Sequence, residues 1–228
     1  MMPQASLEAM SESTPNTRVH RHPERGSYDK ETIYPILDAA RVGHVAFVLD
    51  EKPYVIPMLV ARKEDELLLH GSTASRLMRY LATGADVCVE VTHLDAFVIA
   101  RSVFDHSMNY RSAVVMGRAR SVTDPAEKLE AMRVIVEHLV PGRWDEARQP
   151  IPKELKATAI LALPIDEASA KVRTGPPTDE PDDYDLPIWA GVVPIRTTML
   201  QAEPDPLLKG DIPIADSVRR LIEGESGV

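Results

Sequence analysis

Apolar and polar residues alternate in several short segments of the chain, which predicts a protein built mainly from β-strands. The clearest alternation spans residues 86–92, where Val87, Val89 and Val91 share one side of the predicted strand. Residues 43–49 are apolar on both sides, as in a strand buried between a barrel and a partner. Further strands are predicted at residues 53–61, 67–70, 96–101, 111–122 and 157–172. With two or three helices and no regular strand–helix alternation, the pattern favours a small antiparallel barrel.

Two residues inside the predicted strands indicate irregular places in the barrel. Pro57 lies within strand 53–61 and cannot donate a ladder hydrogen bond, so it marks an edge or a gap where the barrel is parted. Gly117, within strand 111–122, predicts a β-bulge.

A short helix is predicted before the strands, and a second helix is predicted between strand 111–122 and strand 157–172. The first begins at the N-cap Thr32 and has Pro35 in its first turn. It carries Ile33, Ile36, Leu37 and Ala40 on one apolar face. The second begins at the N-cap Asp124, has Pro125 at its first helical position, and has Glu127 to complete a capping box. Its apolar stripe is predicted to be Leu129, Met132, Val136 and Leu139, and Pro141-Gly142 ends it.

Composition narrows the range of functions. A net charge of −9 argues against binding to nucleic acid or to an anionic membrane. Three Phe, two Trp and six Tyr are too few for a base-stacking platform. Cys88 is the single cysteine, which excludes an internal disulfide, and its apolar neighbours predict a buried, unreactive thiol. Without a signal peptide or an apolar run of about 20 residues, we expect a cytoplasmic protein.

The chain divides into three parts by composition. Residues 1–17 are predicted to be a disordered leader, and residues 18–196 a single domain. Residues 197–228 are expected to form an irregular tail with a weak terminal helix. From Thr174 the chain is acidic and rich in proline, apart from an apolar segment at residues 188–194.

A first cluster of cationic and hydroxyl side chains follows strand 67–70. His70 ends this strand, Gly71 allows a sharp turn, and the next helix runs to Gly84, with an N-cap at Ser72, Thr73 or Ser75. Free backbone N–H groups and hydroxyls at a helix start can bind an anion. Arg76 lies in the first turn, where the helix dipole disfavours a cation unless an anion is bound. The pattern therefore favours a phosphate-ester site, although an ordinary N-cap with solvated arginines would also explain it.

Two further clusters lie at residues 109–112 and 171–177. Each also has an ordinary structural explanation. Arg111 follows a polar loop and is compatible with a surface position, while Lys171 and Arg173 alternate as on any half-exposed strand with Val172 inward. Trp189 lies in an apolar segment, where a core position is the ordinary interpretation. The seven histidines have no metal-binding spacing, so no metal site is predicted. No GxGxxG or P-loop motif is present, which argues against Rossmann and P-loop nucleotide sites.

Taken in order and spacing, seven segments resemble the FMN-binding split-barrel proteins related to pyridoxamine 5′-phosphate oxidase. The closest resemblance is to the flavin-nucleotide-binding branch, near the nitroimidazole-resistance proteins. It covers residues 18–196 and rests on segments 21–29, 53–57, 70–77, 107–112, 141–144, 171–177 and 189–194.

This resemblance implies a six-stranded antiparallel Greek-key split barrel that forms a homodimer with two FMN sites at the interface. The flavin ring would lie along residues 55–58, the phosphate would contact the start of the helix at Arg76, and Trp189 would cover the site. Residues of the second and third clusters would come from adjacent strands or from the partner subunit. The implied cofactor-binding residues are Val55, Ile56, Pro57, Met58, His70, Gly71, Ser72, Ser75, Arg76, Asn109, Tyr110, Arg111, Ser112, Lys171, Arg173 and Trp189.

The function implied is that of an FMN-dependent oxidoreductase that reduces a small electron-poor substrate with NAD(P)H. Lys171 or Arg173 would stabilise the reduced flavin near N1, and His70 is the candidate catalytic proton donor. The C-terminal arginine motif with which true pyridoxamine 5′-phosphate oxidases bind their substrate is not found, so vitamin B6 oxidation is not expected. Two alternatives stay open: a flavin-binding or sensing module without turnover, and a split barrel that uses haem or a deazaflavin.

Overall fold

The protein is described by a computed structural model that covers residues 16–225. Within this part of the chain lie ten strands: β1 Gly26–Ser27, β2 Val42–Leu49, β3 Lys52–Lys63, β4 Glu66–Ser72, β5 Asp86–Ile99, β6 Ser107–Arg118, β7 Arg120–Ser121, β8 Thr158–Pro164, β9 Glu167–Arg173 and β10 Gly191–Pro194. The same residues contain six α-helices: α1 Lys30–Ala39, α2 Arg76–Leu81, α3 Pro125–Leu139, α4 Arg143–Glu146, α5 Pro152–Ala157 and α6 Asp216–Glu225.

The strands form an antiparallel sheet in the order β1-β9-β6-β5-β2-β3-β4-β8-β7, with β10 paired to β5. Three consecutive strands, β2 to β4, lie side by side, and β5 returns after α2 to pair with β2. This arrangement is a Greek key. The prediction of a mainly β protein with a Greek-key sheet is confirmed. The predicted count of six strands is not confirmed, since seven of the described strands have seven or more residues and three are shorter.

The sheet curls because its two ends are tied together by the chain. β8 and β9 lie near opposite ends of the strand order, yet only Ile165 and Asp166 connect them. A buried core fills the curled sheet, and its members include Val45, Val60, Leu67, Leu69, Val89, Val115 and Leu163. A second, smaller cluster lies under α3 and contains Ala61, Leu68, Val122, Ala131, Ile135, Ile160 and Ala162. Burial of these apolar side chains provides the main stabilisation of the barrel.

The start of α1 differs from the prediction. Asp29, and not Thr32, is the N-cap, because its carboxylate accepts a hydrogen bond of 2.7 Å from the backbone N–H of Thr32. The helix therefore begins earlier than predicted and Pro35 lies inside it. The predicted apolar residues of this helix are nevertheless buried, among them Ile33 and Leu37.

The predicted start of α3 is confirmed, but its buried face is different. Asp124 is the N-cap, and its carboxylate accepts from the backbone N–H of Glu127 at 2.8 Å. The residues that face the sheet are Ala131 and Ile135, while Leu129 and Leu139 are exposed. The small Ala131 side chain lets the helix approach the sheet closely, which shifts the buried stripe away from the larger residues.

Among the described strands, a β-bulge lies at a different position from the predicted one. Residues 86–99 form the single strand β5, and its register against β6 shifts between Leu94 and Ala96. Asp95 is the extra residue, whereas Gly117 pairs in regular register with Val87. The bulge predicted at Gly117 is therefore wrong.

The tail has no regular structure between residue 197 and the start of α6. The helix α6 itself confirms the predicted terminal helix. The predicted leader, residues 1–17, lies almost wholly outside the described residues. No helix of residues 16–225 has the length and apolar character needed to cross a membrane.

Candidate functional site

The barrel opens where β3 and β4 separate. The two strands pair only between Val60–Lys63 and Glu66–Leu69. Beyond this point residues 52–59 of β3 continue against β2, while residues 70–72 of β4 continue against β8. We call the opening between residues 55–58 and residues 70–76 the split. Pro57 lies on its β3 side, which confirms that the proline marks the place where the barrel is parted.

The β3 side of the split presents side chains in two directions. Ile56 and Met58 pack against the core. Val55 points outward and is 62% exposed, and Pro57 pairs with His44 of β2 on the same outward face. The split is therefore bordered by an apolar strand that can contact a flat ligand through backbone and aliphatic groups.

On the opposite side, residues 72–76 lead into α2. Ser75 is the N-cap of this helix, and its hydroxyl accepts from the backbone N–H of Met78 at 3.5 Å. The Ser72 hydroxyl accepts from the backbone N–H of Ala74 at 3.1 Å. The guanidinium carbon of Arg76 lies 4.8 Å from the centre of the Tyr54 ring, a cation–π contact between α2 and β3. No ion pair of the described residues involves Arg76, so its charge is available to an anion.

Gly71 is needed for a different reason from the one predicted. It lies in β4 opposite Ala159, in extended backbone, and makes no sharp turn. A Cβ atom at this position would stand 2.9 Å from Cγ of Met78 on α2. Glycine is required here because α2 packs directly on the strand.

His70 is the partly buried titratable group at the split. Its Nδ1 atom is buried and has no hydrogen-bond partner among the described residues. Burial lowers the pKa of His70 from its ordinary value. The imidazole is therefore neutral near pH 7 and has an unsatisfied nitrogen that could contact a ligand.

The second and third clusters form one group on β6 and β9. The register places Tyr110 opposite Arg173 and Ser112 opposite Lys171. Arg173 is buried, although the sequence predicted a half-exposed strand, and its guanidinium donates to the Asn109 side-chain oxygen. Burial and, to a smaller extent, the nearby charge of Arg25 lower the pKa of Arg173.

The remaining cations of this group differ in their pairing. Arg111 donates to both carboxylate oxygens of Asp95, with distances of 3.0 and 2.8 Å, and this pair raises the pKa of Arg111. The Asp95 carboxylate therefore already neutralises the charge of Arg111 within the chain. Lys171 has no ion pair among the described residues, and its carbonyl accepts from the Ser112 hydroxyl at 3.3 Å.

One chain does not bring the two groups together. β5 and β2 lie between β6 and β3 in the sheet, which corresponds to three strand spacings, or about 14 Å measured along the curled sheet. Trp189 precedes β10, is 67% exposed and packs beside Gly191, so the core interpretation of this residue is wrong. The tertiary structure thus assembles a half-site at the split and a second half-site on β6 and β9.

The sequence reasoning missed several residues near these half-sites. Tyr54 stacks on Phe47 and supports Arg76. Arg18 and Arg21 help to line a cavity of about 290 Å³ that also contains Ser112 and Lys171. The signal in the sequence was a short basic segment in an acidic chain, but the pattern alone did not show what it would face.

A model of the family "Pyridoxamine 5′-phosphate oxidase" matches residues 29–172, which is more than half of the chain. The chain belongs to this family. The match includes every predicted site residue except Arg173 and Trp189. Together with the fold, this family assignment confirms the resemblance inferred from the sequence and the split-barrel class. No curated protein matches the chain significantly.

Two solved structures are similar to this pyridoxamine 5′-phosphate oxidase family member over most of its length. The flavocytochrome Anf3 from Azotobacter vinelandii is 42% identical, with a TM-score of 0.87, and the match covers 92% of this chain and 99% of Anf3. The FAD and haem binding protein from Mycobacterium smegmatis is 37% identical, with a TM-score of 0.84, and covers 87% and 97% of the two chains. A third structure, of a protein assigned to 5-nitroimidazole antibiotic resistance in Bacteroides thetaiotaomicron, shares the fold. It is 23% identical, with a TM-score of 0.56, and the match covers 64% of this chain and 86% of that chain.

Proposed function

We propose that this protein binds a flavin at the split of a homodimer and acts as a flavin-dependent oxidoreductase. The observation that carries the proposal is the split itself, where an apolar strand faces an unpaired cation, hydroxyls and a histidine with an unsatisfied nitrogen. The names of the two relatives, a flavocytochrome and an FAD and haem binding protein, support a flavin ligand. FMN, predicted from the sequence, and FAD share the ring and the first phosphate, so the proposal covers both.

The residues at the split suit the chemistry of a flavin. The ring would lie along Val55–Met58, and Arg76 with the hydroxyls of Ser72 and Ser75 would contact the first phosphate. The flavin, when bound, supplies the electron-transfer chemistry. The chain orients it, and the neutral His70 can hold a proton close to the ring.

A second copy of the chain would complete the site. The outward face of β2 and β3 exposes Val42, Val48 and Val55 by 53%, 56% and 62%. Exposed apolar side chains on one sheet face are typical of a protein interface. Because three strand spacings, about 14 Å along the sheet, separate β6 from the split within one chain, a partner subunit seated on this face would supply those residues.

A small electron-poor substrate and electrons from NAD(P)H remain part of the proposal, as does a cytoplasmic location. The competing function is a flavin-binding module without turnover. Stopped-flow reduction of the flavin-loaded protein by NADH and NADPH separates the two. Rapid hydride transfer supports the oxidoreductase, and a flavin that stays oxidised supports the module.

A second cofactor, haem, is favoured by His106 and by the names of the two relatives. The Nδ1 atom of His106 lies 2.8 Å from the carbonyl oxygen of Ser102, so Nδ1 carries the proton and Nε2 is free to bind a metal. The neighbouring Val103 and Phe104 are almost fully exposed and apolar, as a haem face requires. If His106 binds haem, a His106→Ala variant should lose the Soret band and keep the flavin bands.

The flavin site is tested by the Arg76→Gln variant. Removal of one charge-assisted hydrogen bond should raise the Kd for both FMN and FAD by about tenfold. Arg79→Gln, in the same helix, is the matched control and should change the Kd little. Wild-type protein that is colourless, and stays so after incubation with either flavin and desalting, contradicts the proposal.

A further inference from the structure

A cavity of about 290 Å³ lies between the N-terminal arm and the outward face of β6 and β9. We call it the arm pocket, and its polar lining consists of Asn16, Thr17, Arg18, His20, Arg21, Ser112, Ser169 and Lys171. None of the residues that line it is acidic, although the chain contains 35 Asp and Glu. The pocket is thus an electropositive place in an acidic protein.

The cations of the arm pocket have no carboxylate partner in the part of the chain that the structure describes. Several arginines elsewhere are paired with carboxylates, as in Arg62–Asp38 and Arg120–Glu66. By contrast, Arg18, Arg21 and Lys171 take part in no ion pair among residues 16–225. Like charges held close together repel each other, and a bound anion would remove this cost.

The arm pocket continues into a larger groove on the same sheet face. The groove has a volume of about 740 Å³ and shares Asn16 and Met116 with the pocket. Its lining is mostly apolar and comes mainly from four adjacent strands, β3, β2, β5 and β6, with Val48, Val55 and Cys88 among its members. The combined cavity is elongated, with an apolar floor that leads to a cationic end.

We propose that the arm pocket binds the adenylate phosphate of an adenine dinucleotide, which is the phosphate that FAD has and FMN lacks. This inference deepens the proposed function and rests on it, because it identifies the anionic part of a nucleotide used at the same site. Arg18, Arg21 and Lys171 supply three cations for this phosphate. An aromatic ring of the ligand would lie on the apolar groove. Two nucleotides carry this chemistry, FAD as the cofactor and NAD(P)H as the reductant.

The experiment uses the full chain with Arg18→Gln and Arg21→Gln combined. Both residues are exposed, so the substitutions should leave the fold intact. After bound flavin has been removed with potassium bromide, the Kd is measured for FAD and for FMN by flavin fluorescence. The Kd for NADPH is measured by its own fluorescence, in the absence of flavin. Lys128→Gln with Lys209→Gln, which removes the same charge elsewhere, is the control.

Each outcome decides the proposal. A Kd for FAD that rises tenfold or more, with that for FMN unchanged, places the adenylate phosphate of the cofactor in the pocket. If the Kd values for both flavins are unchanged and the Kd for NADPH rises tenfold, the ligand of the arm pocket is the reductant NADPH. Equal weakening of FMN and FAD, or no change for any nucleotide, overturns the proposal. If the wild type binds no flavin, the proposed function fails, and the NADPH titration still tests the arm pocket.

Discussion

At the scale of single residues, the environment decides what each charged group can do. Arg111 and Arg173 both lie at the half-site on β6 and β9, yet the first is paired with Asp95 and the second is buried against Asn109. Arg76 and Lys171 have no ion pair within residues 16–225 and, unlike Arg173, they are not buried. These two residues are therefore better placed to contact an anionic ligand than their arginine neighbours.

His70 should make the stability of the protein depend on pH. Burial lowers its pKa in the folded state below the value of 6.5 expected for an unfolded chain, so the unfolded state binds more protons as the pH falls. The free energy of unfolding should therefore decrease as the pH is lowered through about 6.5. A His70→Gln variant should show a smaller difference between pH 7.5 and pH 5.5 in urea unfolding. An identical difference in both proteins would contradict the assignment.

At the scale of elements, the site depends on how closely α2 packs on β4. The helix has only six residues, so tertiary contacts must hold it in place. Leu77, Met78 and Leu81 are buried in the core, and Gly71 lets Met78 lie directly on the strand. The position of Arg76 over Tyr54 follows from this packing.

A Gly71→Ala substitution should disturb both stability and the split. Its Cβ atom would stand 2.9 Å from Cγ of Met78, so either the buried Met78 side chain or α2 must shift. We expect a loss of about 1–3 kcal/mol in the free energy of unfolding, the usual cost of overpacking, together with weaker flavin binding. Gly224→Ala is the control, because a Cβ atom there has no neighbour within 4 Å. Equal stability of the two variants in urea unfolding would show that the contact is relieved without cost.

At the scale of the whole molecule, the curled sheet has one buried and one exposed apolar face. Gly43, Val45 and Phe47 of β2 face the core, whereas Val42 and Val48 are exposed on the other side. This pattern explains why residues 43–49 are apolar on both sides. It supports the proposed homodimer, in which the exposed face would meet a second copy.

Val48→Glu combined with Val55→Glu should convert the proposed dimer into a monomer. Two carboxylates on the apolar face would have to be desolvated in the interface, which is strongly unfavourable. Analytical ultracentrifugation should show a halved mass, and flavin titration should show a large loss of affinity. The control is Leu200→Glu with Leu207→Glu, two exposed tail residues, which should change neither. A wild-type protein that sediments as a monomer would contradict the proposal.

Local features of the molecule could be predicted from the sequence because they depend on neighbouring residues. The strand periodicity, the N-caps Ser75 and Asp124, and the interruption at Pro57 each rest on interactions within a few positions along the chain. The resemblance of motif order and spacing identified the family and the split-barrel class. The six strands that this resemblance implied are not confirmed by the structure, and the predicted site residues remain to be tested.

Other features were decided only by the tertiary structure, because they depend on residues far apart in the sequence. The bulge at Asp95 aligns its carboxylate with Arg111, which the periodicity of β5 or β6 alone does not indicate. The buried face of α3 depends on how closely Ala131 approaches the sheet. The arm pocket exists because folding brings residues 16–21 beside Ser112 and Lys171, positions about 90 and 150 residues away. Sequence patterns report local preferences, whereas ion pairs and cavities depend on which distant segments the fold brings into contact.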